Sequence, residues 1–152
     1  MRLDFLVLAD RAEAINGKLY MVGGGFDRVG IPAIPGTADY DVALGFLVDY
    51  NETNERHEFQ LRLEDEDSNE VMPPIGGAVE VGRPPGMVRG QEQRVMIVVR
   101  GPFPVPRAGS FRWVGSLDGQ PGEPTRFRAE HVVLPQPPGL GAIGAGPQGA
   151  GQ

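Results

Sequence analysis

Two histidines, three serines and no cysteine make up the chain's stock of the side chains that most often act as bases, hydroxyl nucleophiles and thiolates. The missing cysteine excludes disulfides, thiolate metal sites and cysteine nucleophiles. A zinc site would need His57 and His131 together with a carboxylate, and nothing in their spacing brings them together. His57 stands at the polar start of an alternating run and reads as exposed. His131 falls in phase with Phe127, Ala129 and Val133 and reads as half buried. None of Ser68, Ser110 and Ser116 lies in a Gly-x-Ser-x-Gly elbow, where a strained turn would expose the hydroxyl to a base. With no nucleophile beside a base, the expectation is a protein that is not an enzyme. A hydrolase assembled from His131 and distant carboxylates is the least favoured reading.

Two stretches carry groups that bind ions. Gly23-Gly24-Gly25 follows an apolar strand, as a phosphate loop does. Such a loop also needs a helix whose N-terminus holds the phosphate, and Pro32 and Pro35 forbid one here. The triplet therefore reads as a bulge or bend at a sheet corner. Asp65, Asp67 and Asn69 place oxygen donors at alternating positions, the opening of a calcium loop. Glu70 stands where that loop needs glycine and Gly76 where it needs a bidentate carboxylate, so a solvated hairpin turn explains the run as well.

These groups are positioned by strands. In Ser110–Gly119, Phe111, Trp113 and Leu117 share one phase of a two-residue period, while Arg112, Ser116 and Asp118 take the other. Asp118-Gly119 then offers a tight turn. The same alternation places Val42, Leu44, Phe46, Val48 and Tyr50 on one face of residues 39–50. It also sets Phe59, Leu61 and Leu63 against Glu58, Gln60, Arg62 and Glu64 in residues 57–65. A strand with one apolar and one wet face needs a covering layer. Further strands are predicted at 3–9, 77–81, 94–100 and 125–133, and Asn16-Gly17 marks a hairpin returning through Lys18–Gly23. Residues 10–15 could form a helical turn instead. The Arg83–Gly90 segment, with Pro84 and Pro85, reads as a loop, and Gly101–Ala108, with three prolines, as a rigid connector. With the turn after Gly119 centred near Pro121, Arg112 would face Glu130 and Ser116 would face Arg126. The fold class expected is all-β: an antiparallel β-sandwich of about eight strands, immunoglobulin-like or C2-like.

Composition narrows the classes further. The 152 residues carry a net charge of −6, and Lys18 is the only lysine beside thirteen arginines. A negative chain does not suit general nucleic-acid binding, which draws its affinity from basic surface. The apolar run Phe5–Ala9 is too short for a signal peptide, and no stretch has the roughly 18 apolar residues of a membrane helix. A cytoplasmic protein without cofactor is expected. Residues 135–152 hold six glycines, four prolines and no charge, which predicts a disordered tail beyond a domain spanning 1–134.

The segments Leu3-Asp4-Phe5, Gly17-Lys18-Leu19-Tyr20, Gly23-Gly24-Gly25-Phe26-Asp27-Arg28 and Glu80-Val81-Gly82-Arg83-Pro84-Pro85-Gly86, with Phe111-x-Trp113 and Leu117-Asp118-Gly119, resemble a family of small bacterial proteins of unknown function. The resemblance spans about residues 2–133; it implies a compact β-rich domain and no activity, substrate or site. The closing hairpin also resembles the last strands of immunoglobulin-like domains, without their paired cysteines. The expected function is a non-catalytic protein-interaction or structural module, with small-ligand or calcium binding as the alternative. Its expected partner is another protein, met through Arg83, Pro84, Pro85 and Arg89 in the loop, Arg126 and Arg128 on the last strand, and the proline connector.

Overall fold

The computed structural model describes residues 1–135, and the predicted tail lies, from residue 136 on, outside them. The described chain is all-β with one 3-10 turn and no α-helix. Its strands are β1 (Arg2–Ala9), β2 (Arg11–Ile15), β3 (Lys18–Val22), β4 (Arg28–Ile31), β5 (Gly36–Ala38), β6 (Asp41–Asp49) and β7 (Arg56–Asp65). They continue as β8 (Ile75–Glu80), β9 (Glu92–Arg100), β10 (Phe103–Val105), β11 (Gly109–Leu117), β12 (Gln120–Pro121) and β13 (Thr125–His131). The 3-10 turn Tyr50–Glu52 is closed by a capping box in which Asp49 accepts from its backbone and Glu52 answers the Asp49 N–H.

Two sheets supply most of the core. One has the order β1-β6-β9; the other runs β4-β13-β11-β7-β8, with β12 against β11. Leu6, Leu8, Val42, Leu44 and Phe46 of the first meet Leu61, Leu63, Phe111, Trp113 and Phe127 of the second in one buried cluster. Strands β5 and β10 form a small ladder that adds Ala38, Phe103 and Val105 to the same core. The apolar phases predicted for β6, β7 and β11 face the core, but β6 is buried on its other phase as well and Ser116 of β11 is also buried.

The expected Asn16-Gly17 hairpin is present: residues 11–15 form strand β2 and not a helical turn, because Asn16 and Gly17, both at positive φ, turn the chain tightly enough to pair Ile15 with Lys18. Three features depart from the expected pattern. The Gly101–Ala108 segment is no free connector: β10 alternates about Pro104 and buries Phe103 and Val105. The large sheet is mixed, because β4 pairs in parallel with β13. The closing hairpin takes a different register, with Arg112 opposite Arg126 and Phe111 opposite Phe127. Asp118 and Gly119, at φ 47° and 79°, make a two-residue turn that pairs Leu117 with Gln120, so the reversal falls ahead of Pro121. Arg112 does not meet Glu130; its guanidinium bonds Glu64 and the Ser68 hydroxyl.

At the centre of the core the Trp113 indole N–H donates to the Tyr40 oxygen at 2.9 Å. Tyr40 is ringed by Phe26, Phe103 and Phe127, with centroids 5.0–5.8 Å away. Burial pushes the Tyr40 phenol far above its ordinary range, so it stays neutral. Trp113→Phe leaves this oxygen without its donor and should destabilise the fold by about 1–3 kcal/mol from the lost bond, before any cavity effect. Denaturant unfolding of Trp113→Phe, Tyr40→Phe and the double variant checks this; the double should lose less than the sum of the singles, by about 0.5–3 kcal/mol.

Candidate functional site

The sheet β1-β6-β9 has a second face, turned away from the main core. Phe5, Val7, Ala43, Met96 and Val98 occupy it, so it also needs cover. The β2–β3 hairpin supplies part of that cover. Cross-strand partners share a face, so Ala12 goes with Met21 and Ala14 with Leu19. That inner face packs as a small second core of Ala9, Ala12 and Ala43 with Phe5, Leu19 and Val98 around it. Within the sheet the Phe5 ring lies over its cross-strand partner Gly45, where a side chain would begin, with Cε1 2.1 Å from the ideal Cβ position. The hairpin is anchored at its base, where the buried Asp41 carboxylate accepts from the Ala12 N–H at 2.8 Å and Asp39 holds Arg11 at 2.6 Å. Arg11 keeps the Asp39 carboxyl below its ordinary range.

The hairpin's other face looks into solvent. Ile15, Tyr20 and Val22 alternate there with Lys18, Glu13 and Arg11, and Tyr20 and Val22 are 54% and 71% exposed. Between the hairpin and the sheet runs an apolar groove of about 610 Å³, floored by Phe5, Val7 and Met96 and walled by Leu19, Tyr20 and Met21. Arm and groove together form an apolar feature outside the main core. The sequence carried a signal for it in Leu19-Tyr20-Met21-Val22: four large apolar residues straight after a hairpin turn fill both phases of a strand, and a two-stranded arm can bury only one.

The residues singled out from sequence do not form one surface. Arg83 is spent internally: it stacks 3.9 Å over the Tyr50 ring and donates to the Thr53 hydroxyl at 2.9 Å, the Tyr50 hydroxyl at 3.1 Å and the Tyr50 carbonyl at 3.1 Å. Pro84, Pro85 and Arg89 stay exposed in the loop it pins. Arg126 and Arg128 are exposed at the other end of the large sheet, where Arg128 pairs with Glu130 at 3.3 Å. The loop follows β8 beside Arg56, while Arg126 lies next to Arg112 and Glu64, so the two groups are separated along β7 by roughly 26 Å at about 3.3 Å per residue.

Asp65 closes its own turn, accepting from the Asp67 N–H, the Asn69 N–H and the Asn69 amide, which holds its pKa down. Among the described residues no three acidic or histidine side chains cluster as metal ligands. The glycine triplet bends the chain back to β1, with the Gly25 N–H donating to the Leu8 carbonyl at 2.8 Å and no helix following. His131 is exposed at the end of β13, where the strand has run past the core. His57, expected in solvent, is buried, with Nδ1 2.7 Å from Asp118 Oδ2 and Nε2 3.4 Å from the Glu52 carbonyl. The second Asp118 oxygen accepts from the Glu58 N–H at 2.9 Å, so this pair clamps the start of β7 to the β11–β12 turn. A separate polar hollow of about 490 Å³ takes in Arg56, Gln60 and Ser116. Its serine is 3.5 Å from the Gln60 carbonyl, and His57 lies on the other face of β7.

A family model described as a family of unknown function (DUF6941) matches residues 4–130. The chain belongs to this family. The match takes in the arm, the groove, the His57–Asp118 clamp and all but the last residue of β13. No curated protein matches the chain.

The hydrogen bonds from His57 and from the Glu58 N–H hold the Asp118 carboxyl below its ordinary range. A depressed carboxyl stabilises the fold above its unfolded pKa, and that stability is lost as pH falls through the folded value. Asp118→Asn keeps the turn and the Glu58 acceptor while removing the charge. The wild type should therefore exceed this variant in denaturant midpoint near pH 6, and the gap should be narrower at about pH 3, below the ordinary carboxyl range. Equilibrium unfolding at the two pH values reads this directly.

Proposed function

We propose that the domain is a non-catalytic protein-interaction module, a β-sandwich of immunoglobulin-like character working in the cytoplasm, and that it binds an apolar segment of a partner protein along the β2–β3 arm. The observation that carries this reading is the outward row of Ile15, Tyr20 and Val22, large apolar side chains held in solvent by a hairpin that packs on the sheet through Ala12 and Leu19. Exposed apolar surface of this kind, set among charges, marks contact surfaces. Tyrosine is the residue most suited to anchor such a contact, with a large ring and few torsions to fix. The groove beside it extends the surface toward the roughly 800 Å² per partner of a specific interface. The imidazole of His57 is taken up by Asp118, 2.7 Å away. No helix among the described residues is long and apolar enough to cross a membrane.

A photo-crosslinking side chain placed at Tyr20 should capture one stoichiometric protein in cells, and the capture should vanish when Val22→Glu is added. The same probe at Arg126, on the opposite sheet, should capture nothing comparable. Equal capture at both positions, or none at Tyr20, removes the reading. Val22→Glu is a surface change and should move thermal stability by no more than about 0.5 kcal/mol.

A further inference from the structure

The free edges of the sheets are not treated alike. The β1 edge is broken by a register shift between Leu3 and Phe5 and covered where the Thr125 hydroxyl donates to the Leu6 carbonyl at 2.6 Å. The β4 edge is only four residues long and runs into Pro32. The β8 edge is short and carries Gly76 and Gly77. Strand β9 has none of these protections. It pairs with β6 over nine residues without a shift, contains no proline, and among the described residues receives backbone hydrogen bonds within 93–99 from β6 alone. A long, regular, largely aliphatic edge is a template for another strand.

The order of charges along β9 selects its occupant. In an antiparallel pairing of Glu92–Arg100 with its own copy, centred on Met96, Glu92 of each chain faces Arg100 of the other, Arg94 faces Val98 and Val95 faces Ile97. Centring on Ile97 sets Arg94 against Arg100, like charges, and leaves Glu92 beyond the strand; centring on Val95 sets Glu92 against Val98. A one-residue slip would place groove-side residues such as Met96 opposite core-side residues such as Ile97 and Val99. The Arg100 side chain is 65% exposed and loosely set at 3.8 Å from Glu13, while Glu92, 35% exposed, accepts from both terminal guanidinium nitrogens of Arg2, a pair the contact between chains must share.

We propose that two copies of this chain associate through β9, antiparallel about Met96, joining two β1-β6-β9 sheets into one continuous six-stranded sheet. Met96 floors the apolar groove, so the two grooves meet at the symmetry axis. The pairing uses the strand edge and is independent of the outward face of the arm.

Sedimentation equilibrium of the full chain at micromolar concentration tests it. The wild type should sediment as a dimer. Glu92→Arg and Arg100→Glu each set like charges opposite one another twice per dimer and should weaken association by about tenfold or more. The double swap restores both pairs and should return the dimer. Met96→Lys, which brings two cations together at the axis, should also give monomers, with circular dichroism melts showing that each variant is folded. Ile15→Glu, on the outward face of the arm and outside the groove lining, should dimerise as the wild type does. A monomeric wild type, charge variants that dimerise unchanged, a double swap that stays monomeric, or loss of the dimer in Ile15→Glu would each overturn the proposal. The last outcome would place the contact on the arm and leave the interaction reading standing.

Discussion

One buried hydrogen bond, from the Trp113 indole to the Tyr40 oxygen, ties the two main sheets together at their aromatic centre. Trp113 is fully buried in the middle of β11, and Tyr40 precedes β6, so the bond joins the central strand of the large sheet to the chain entering the central strand of the small one. Neither polar atom has water to fall back on, which makes their mutual satisfaction a condition of closing the core. The rings around them pack edge-on or tilted, as Phe103 does on Trp113 at 4.8 Å, so the contact also fixes how the β5–β10 ladder seats on the core.

Around that centre the two layers are unequal. Three strands face a path of five, and the narrow sheet is apolar on both sides. The face remote from Trp113 has only a hairpin of two five-residue strands to cover it. Such an arm is too small to bury two faces of its own, so packing Leu19 and Ala12 inward leaves Tyr20 and Val22 outward. The exposed row and the open groove both follow from this shortage of cover. The candidate surface is a consequence of the architecture and is placed by it.

What could be read from the residues was what local geometry decides. Alternation located β6, β7 and β11 and their core-facing phases, though it did not show that β6 is buried on both. Asn16-Gly17 announced its hairpin, and Asp118-Gly119 the tight turn that pairs Leu117 with Gln120, but the β11–β13 register is one residue off the one this turn sets. Partnerships across long sequence distances were not legible. The parallel pairing of β4 with β13 joins residues about a hundred positions apart, and no local pattern encodes that neighbour. His57 looked exposed because its strand neighbours are polar; its burial depends on Asp118, which only the fold brings within 2.7 Å. Arg83 looked free because Tyr50, the ring it covers, lies in another turn. The proline-rich 101–108 segment hid a strand because Pro104 argues against a ladder, yet a short edge ladder tolerates a residue without an N–H, and Phe103 and Val105 still alternate about it.

The unequal treatment of the sheet edges belongs to the same physics. A strand edge left open carries unpaired N–H and C=O groups, and a soluble chain must shorten it, break it, cover it or use it. Here the register shift in β1, the proline after β4 and the glycines of β8 limit three edges. Limiting β9 in the same way would work against its place in the core, since its nine-residue pairing with β6 and the inward Ile97 and Val99 help to hold the narrow sheet on the wide one. A proline or bulge along β9 would loosen the layer that Trp113 and Tyr40 close upon. The regularity that makes β9 a good core strand is therefore the property that makes its free edge competent to pair, and the charges Glu92 and Arg100 at its two ends give that edge a preferred direction and register.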